Sequence, residues 1–129
     1  MTVSVDWYDA GHEIVLYVFE GRWTWDELYK AIDEGFALTK TVSHNFSIIV
    51  DFQKSRGLPP KAFSHFHHIK SVTTEQVDLI VVVGGGTVLL TLFNLFVLIA
   101  GSVAHKFVWV PDLDKAHTTL IERRTPFII

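Results

Sequence analysis

The chain has 129 residues, 49% hydrophobic and 13% aromatic, which fits one domain with a packed core and excludes a disordered protein. A formal net charge of -3 disfavours nucleic-acid binding, because that function needs basic side chains to neutralise phosphates. The absence of cysteine excludes disulfides, thiolate metal sites and thiol catalysis.

The opening residues Met1 to Asp6 lack a basic stretch followed by an apolar one, so no secretory signal is read and a cytoplasmic protein is expected. Val3, Val5 and Trp7 alternate with polar residues as in a half-buried strand, and Glu13 to Glu20 forms a second. The turn Asp9-Ala10-Gly11-His12 between them implies an antiparallel hairpin. Thr24-Trp25-Asp26-Glu27 has the spacing of a capping box, and Trp25, Leu28, Ile32 and Phe36 then recur at helical spacing as far as Lys40. Phe46 to Phe52 is a third strand, followed by the loop Gln53 to Pro60, with Pro60 near the first turn of a helix over Lys61 to Ser71. That helix is expected to turn Phe63, Phe66 and Ile69 inward. A strand over Val77 to Val83, an apolar helix over Thr87 to Ala100 and a strand over Lys106 to Val110 come next. Asp112 caps a last helix that runs to Arg124.

No formal charge falls between Asp78 and Lys106, a span long enough to cross a bilayer. Gly84-Gly85-Gly86 divides it into a β-branched piece of strand length and a Leu- and Phe-rich piece of helix length. Neither piece spans a membrane alone, so no transmembrane segment is predicted. The element order ββαβαβαβα predicts a single α/β domain over residues 1–129, with a mixed, mostly parallel five-stranded sheet and helical cover.

On several short motifs the chain resembles the SpoIIAA-like branch of the STAS superfamily, the anti-sigma-factor-antagonist fold. They are Glu20-Gly21-Arg22-Trp23-Thr24-Trp25, Ile49-Val50-Asp51-Phe52 leading into Ser55-Arg56-Gly57-Leu58-Pro59, Val81-Val82-Val83-Gly84, and Val110-Pro111-Asp112 with Ala116 and Leu120. The resemblance implies a non-enzymatic binding or regulatory module, of a kind proposed in some relatives to contact lipid or other apolar small molecules. Classical members carry a phosphorylatable Ser in an Asp-Ser-Ser-Gly-Leu stretch. Here the stretch reads Lys54-Ser55-Arg56-Gly57-Leu58, which places Arg56 at the acceptor position, so a kinase-controlled switch is not carried over.

Asp51 at the carboxyl end of a parallel strand, the loop residues Ser55, Arg56 and Gly57, and the turn Gly84-Gly85 are the candidate ligand- or partner-binding residues. No catalytic residue is assigned, because Asp51 has no evident base or nucleophile beside it; a small hydrolase or phosphate-handling enzyme built on Asp51, Ser55 and Arg56 is the alternative from another class. His65 and His68, at i and i+3, lack a third ligand and read as surface histidines, so neither metal nor cofactor is expected. In the apolar helix Thr87, Thr91 and Asn94 form a narrow polar stripe, leaving more apolar surface than one sheet face can cover. Burial of Leu89, Leu92, Phe93, Phe96 and Val97 against a second copy in a homodimer is the preferred expectation. A carrier of an apolar ligand, or a protein resting on a lipid surface, is the alternative, and its mark would be a cavity beneath this helix.

Overall fold

The computed structural model describes residues 2–124. The elements are β1 (Val3–Trp7), β2 (Ile14–Gly21), α1 (Trp25–Thr39), β3 (Phe46–Ser55), α2 (Ala62–Ser71), β4 (Val77–Val83), α3 (Gly86–Ile99), a 3-10 turn (Gly101–Lys106), β5 (Phe107–Val110) and α4 (Leu113–Arg124). The sheet order is β1-β2-β3-β4-β5, with β1 antiparallel to β2 and every later pair parallel. This is the predicted order of elements and the predicted mixed sheet.

The strand order, which the chain pattern left open, controls the layering. Strands β2 to β5 advance one place at a time across the sheet. Parallel crossovers are right-handed, so a monotonic order sends α1, α2 and α3 to the same face. The core divides accordingly. Val15, Tyr17, Phe19, Ile80 and Val82 form one cluster with Leu28 of α1 and Leu89 of α3. Ile14, Ile49, Leu79, Val81 and Val83 form another with Ala116 and Leu120 of α4. One helix thus seals one face, while three share the other.

Local details follow the chain chemistry. The capping box forms, with Thr24 Oγ1 accepting from the Glu27 amide at 3.2 Å and Glu27 Oε1 accepting from the Thr24 amide at 2.9 Å. Asp112 Oδ1 accepts from the Lys115 amide at 2.9 Å at the start of α4. β3 extends to Ser55, beyond the predicted end at Phe52, because Lys54 and Ser55 resume pairing with Glu20 and Gly21 after a bulge. Pro60 does not open α2: Lys61 precedes the helix in a left-handed conformation (φ 66), and the Pro60 carbonyl instead accepts from Trp25 Nε1 at 2.8 Å.

Two predicted helix faces are rotated. α1 sets Leu28, Ala31, Gly35 and Thr39 against the sheet, while Phe36 is 42% exposed. On α2, Phe66 is buried but Phe63 is 58% exposed. On α1 the inward residues leave a larger ring, Phe36, at the flank.

Candidate functional site

The residues that α1 turns to the sheet include the small Ala31 and Gly35. A Cβ placed on Gly35 would overlap the Tyr17 hydroxyl oxygen, so glycine is what allows the helix to pass over that ring. α2 and α3 sit differently. They pack on one another, with Phe66 and Phe96 ring centroids 5.3 Å apart edge to face, and Phe96 reaches the sheet edge at Phe107 with a 4.8 Å centroid separation. Between this pair, α1 and the strand floor lies a cavity of about 210 Å³ that opens to solvent. Its floor includes Tyr17, Ile48, Val50 and Val82, and its walls include Ile32, Leu92 and Phe93; no charged side chain lines it.

A set of ring contacts ties α2 to α1 beside the cavity. His65 stacks on Trp25 at 4.3 Å between centroids, its Nδ1 is hydrogen-bonded to the Tyr29 hydroxyl, and His68 lies 4.4 Å from the Tyr29 ring. The two histidines share one helix face, as their spacing requires, and use it to bind aromatic rings of the neighbouring helix. Among the described residues no group of three metal-ligating side chains comes together.

Tyr17 is a buried polar side chain on this face of the sheet. Burial, reinforced by the Glu34 carboxylate, pushes its pKa from 10.0 up to about 12, so the phenol is neutral and a donor at physiological pH. The unfolded chain loses this proton from about pH 10 and the folded chain only near pH 12, so the unfolded state binds fewer protons in that window. Stability is therefore expected to be unaffected by this group below pH 10 and to fall by about 2–3 kcal/mol as pH rises to 12. Urea unfolding at a series of alkaline pH values checks this, and the Tyr17→Phe variant should lose that component of the slope.

The sequence-derived site residues are distributed over several places. Asp51 is buried and accepts from the Gln53 amide at 2.9 Å through Oδ1; strand alternation puts it on the α4 face with Ile49, away from the cavity. Ser55 Oγ accepts from Trp23 Nε1 at 2.9 Å and donates to the Gly57 carbonyl at 2.8 Å, so both of its roles are taken by the fold. Arg56 is exposed. Gly84 is a packing turn: its amide donates to Val110 O at 3.0 Å, its carbonyl accepts from Trp109 Nε1 at 2.9 Å, and an added Cβ would lie 2.9 Å from Gln53 Cγ. Ser55, Gly57 and Gly85 do meet, with Leu58 and Leu89, around a hollow of about 20 Å³, which is the size for a single water. Asp51 and Arg56 do not line it.

The five α3 residues expected at a dimer interface are also placed. Leu89 and Phe96 are buried within the domain, Leu92 and Phe93 line the cavity, and Val97 is half-buried. The apolar side chains that α3 leaves exposed are Val88, Leu95, Leu98 and Ile99. Among the described residues no helix is long and apolar enough to cross a membrane.

A cavity beneath α3 is the mark expected from the sequence for the apolar-ligand alternative, while its floor and its α1 and α2 walls were not read there. Its signal in the sequence was the surplus of large apolar residues in α3; Gly35, which the structure shows at a close backbone approach, is a glycine inside a helical pattern, where it costs helix stability unless packing requires it.

This architecture is that of the SpoIIAA-like fold. The chain is similar to a crystal structure of an uncharacterized protein from the DUF3478 family with a SpoIIAA-like fold, from Shewanella loihica PV-4. The likeness covers 92% of this chain and 93% of that one, with a TM-score of 0.62 and 10% sequence identity. No family model and no curated protein matches the chain.

Proposed function

We propose that this SpoIIAA-like domain is a regulatory binding module of the STAS type that takes an apolar small molecule into the cavity between the sheet and α1–α3. The cavity is the observation that carries this reading. A void of about 210 Å³ left empty would cost on the order of 5 kcal/mol by the measured cavity-volume slope, an upper bound for a cavity open on one side. That is a large share of the total stability of a small domain, about 5–15 kcal/mol. Water is a poor filler, because it needs polar partners and the lining is almost entirely carbon. Leu58, Phe52 and Leu89 line both the cavity and the small hollow at Ser55 and Gly57. Occupancy can therefore move the exposed loop carrying Arg56, which is where a protein partner would sense it.

The test is fluorescence titration with N-phenyl-1-naphthylamine, an uncharged apolar dye, with native mass spectrometry of the detergent-free protein for any copurified adduct. Saturable binding is expected. Filling the cavity with Leu92→Trp should weaken binding by at least about tenfold and leave the unfolding midpoint unchanged or raised. Equal binding by the variant would remove the cavity from consideration.

A second reading rests on the exposed Val88, Leu95, Leu98 and Ile99 of α3, which suit burial against a second copy of the chain. Light scattering is expected to give a dimer at micromolar concentration, and Leu98→Asp a monomer of about 14.7 kDa with unchanged dye binding. A wild-type monomer under the same conditions would end this reading and leave the cavity assignment untouched.

A further inference from the structure

We infer that the cavity selects an uncharged, ring-bearing molecule with one hydrogen-bond acceptor, such as an aryl ketone, and that the Tyr17 hydroxyl is the donor that anchors it. The inference rests on the cavity reading above and adds the chemistry of the occupant.

Three buried polar side chains border the cavity: Tyr17, Trp23 and Thr39. Trp23 Nε1 donates to Ser55 Oγ at 2.9 Å, and Thr39 Oγ1 donates to the Phe36 carbonyl at 3.5 Å. Among the described residues the Tyr17 hydroxyl alone of the three has no hydrogen-bond partner, although Tyr17 is only 9% exposed. Among the described residues no side-chain nitrogen or oxygen is both sealed from solvent and unpaired, so the Tyr17 hydroxyl is reachable from solvent, and a guest that supplies an acceptor takes the place of water there. The phenol keeps its proton across the physiological range, so it presents a donor and not a negative charge.

The charge of the ligand follows from what is missing around it. No Lys, Arg or His lines the cavity, so a carboxylate or phosphate drawn inside would be desolvated without a counter-ion. Size and shape narrow the class further. A cavity of roughly 150 Å³ accepts benzene, and this one, at about 210 Å³, has room for a substituted ring. Rings of Phe52, Phe66, Phe93 and Phe96 in the lining favour a planar aromatic guest over a branched aliphatic one.

The experiment compares three probes of equal size: acetophenone, α-methylstyrene (the same skeleton with a methylene in place of the carbonyl oxygen) and benzoate. Affinities are measured by ligand-observed NMR on the full chain and on Tyr17→Phe. Acetophenone and α-methylstyrene should bind the wild type, and benzoate should bind at least about tenfold more weakly than acetophenone. Tyr17→Phe should weaken acetophenone by about tenfold and change α-methylstyrene by less than about twofold. Equal losses for both probes, or none for acetophenone, would overturn the anchor while leaving the cavity as a binding site. Benzoate binding as tightly as acetophenone would overturn the neutral-ligand assignment. Failure of both neutral probes on the wild type would instead defeat the cavity reading itself. Should Tyr17→Phe fold poorly, the infrared carbonyl stretch of acetophenone on the wild type decides: a shift below its position in alkane supports the hydrogen bond, and an alkane-like frequency overturns it.

Discussion

Truncation of Phe19 to Ala is expected to destabilise the domain by about 3–5 kcal/mol, at the upper end of that range. Phe19 is 1% exposed and sits at the centre of an aromatic group, stacked on Phe52 at 4.4 Å between centroids and meeting Trp23 edge to face at 4.7 Å. The cost of a large-to-small change depends on how far neighbours collapse into the space. Here they cannot collapse well, because Phe19 already borders the cavity and its removal extends an existing void. Urea unfolding followed by tryptophan fluorescence checks the value, with the midpoint lowered and the denaturant slope unchanged. A loss below about 1 kcal/mol would mean that the cavity closes in solution. Dye binding should survive in this variant, since the binding volume grows.

Gly35→Ala is expected to destabilise by about 2 kcal/mol or more, against the gain of about 1 kcal/mol that alanine brings at an ordinary helix position. The new methyl group would overlap the Tyr17 hydroxyl oxygen and lie 3.0 Å from Cζ. Relief requires either displacement of a buried ring or lifting of α1 from the sheet. The clash is specific to one atom, so it has a specific cure. In a Tyr17→Phe background the oxygen is gone, and the penalty of Gly35→Ala should fall by more than half. A double-mutant cycle measures this as a coupling energy of about 1–3 kcal/mol, and simple additivity would show that α1 does not pass over Tyr17 as described.

Most of the fold was legible in the sequence because it is written in local chemistry. The capping box at Thr24 and Glu27, the aspartate cap at Asp112, the glycines dividing β4 from α3, and the alternation of Val3, Val5 and Trp7 are short-range features. The resemblance to the SpoIIAA-like fold likewise rested on short segments, and the observed fold agrees with it. The site was less legible. Ser55, Gly57 and Gly85 were brought together as neighbours, but Asp51 was separated from them by the pleat, which sends it to the α4 face. The α3 residues taken for an interface were largest in apolar content, and Leu89 and Phe96 are used by the domain itself. On α1 hydrophobic periodicity selected Phe36 and Ile32, whereas the sheet selected the small residues Ala31 and Gly35, because closeness of backbones outweighed side-chain apolarity there.

The sequence by itself thus determined the elements, their order, the α/β class with its mixed sheet, and the need of α3 for more apolar company than one sheet face supplies. The tertiary structure alone decided where that company lies. A monotonic strand order joined by crossovers of one hand puts α1, α2 and α3 on the same side. There Gly35 lets α1 pass close over Tyr17, while Phe66 and Phe96 pack α2 and α3 against each other. The space between is the cavity, lined by the sheet and by all three helices, which no single segment encodes.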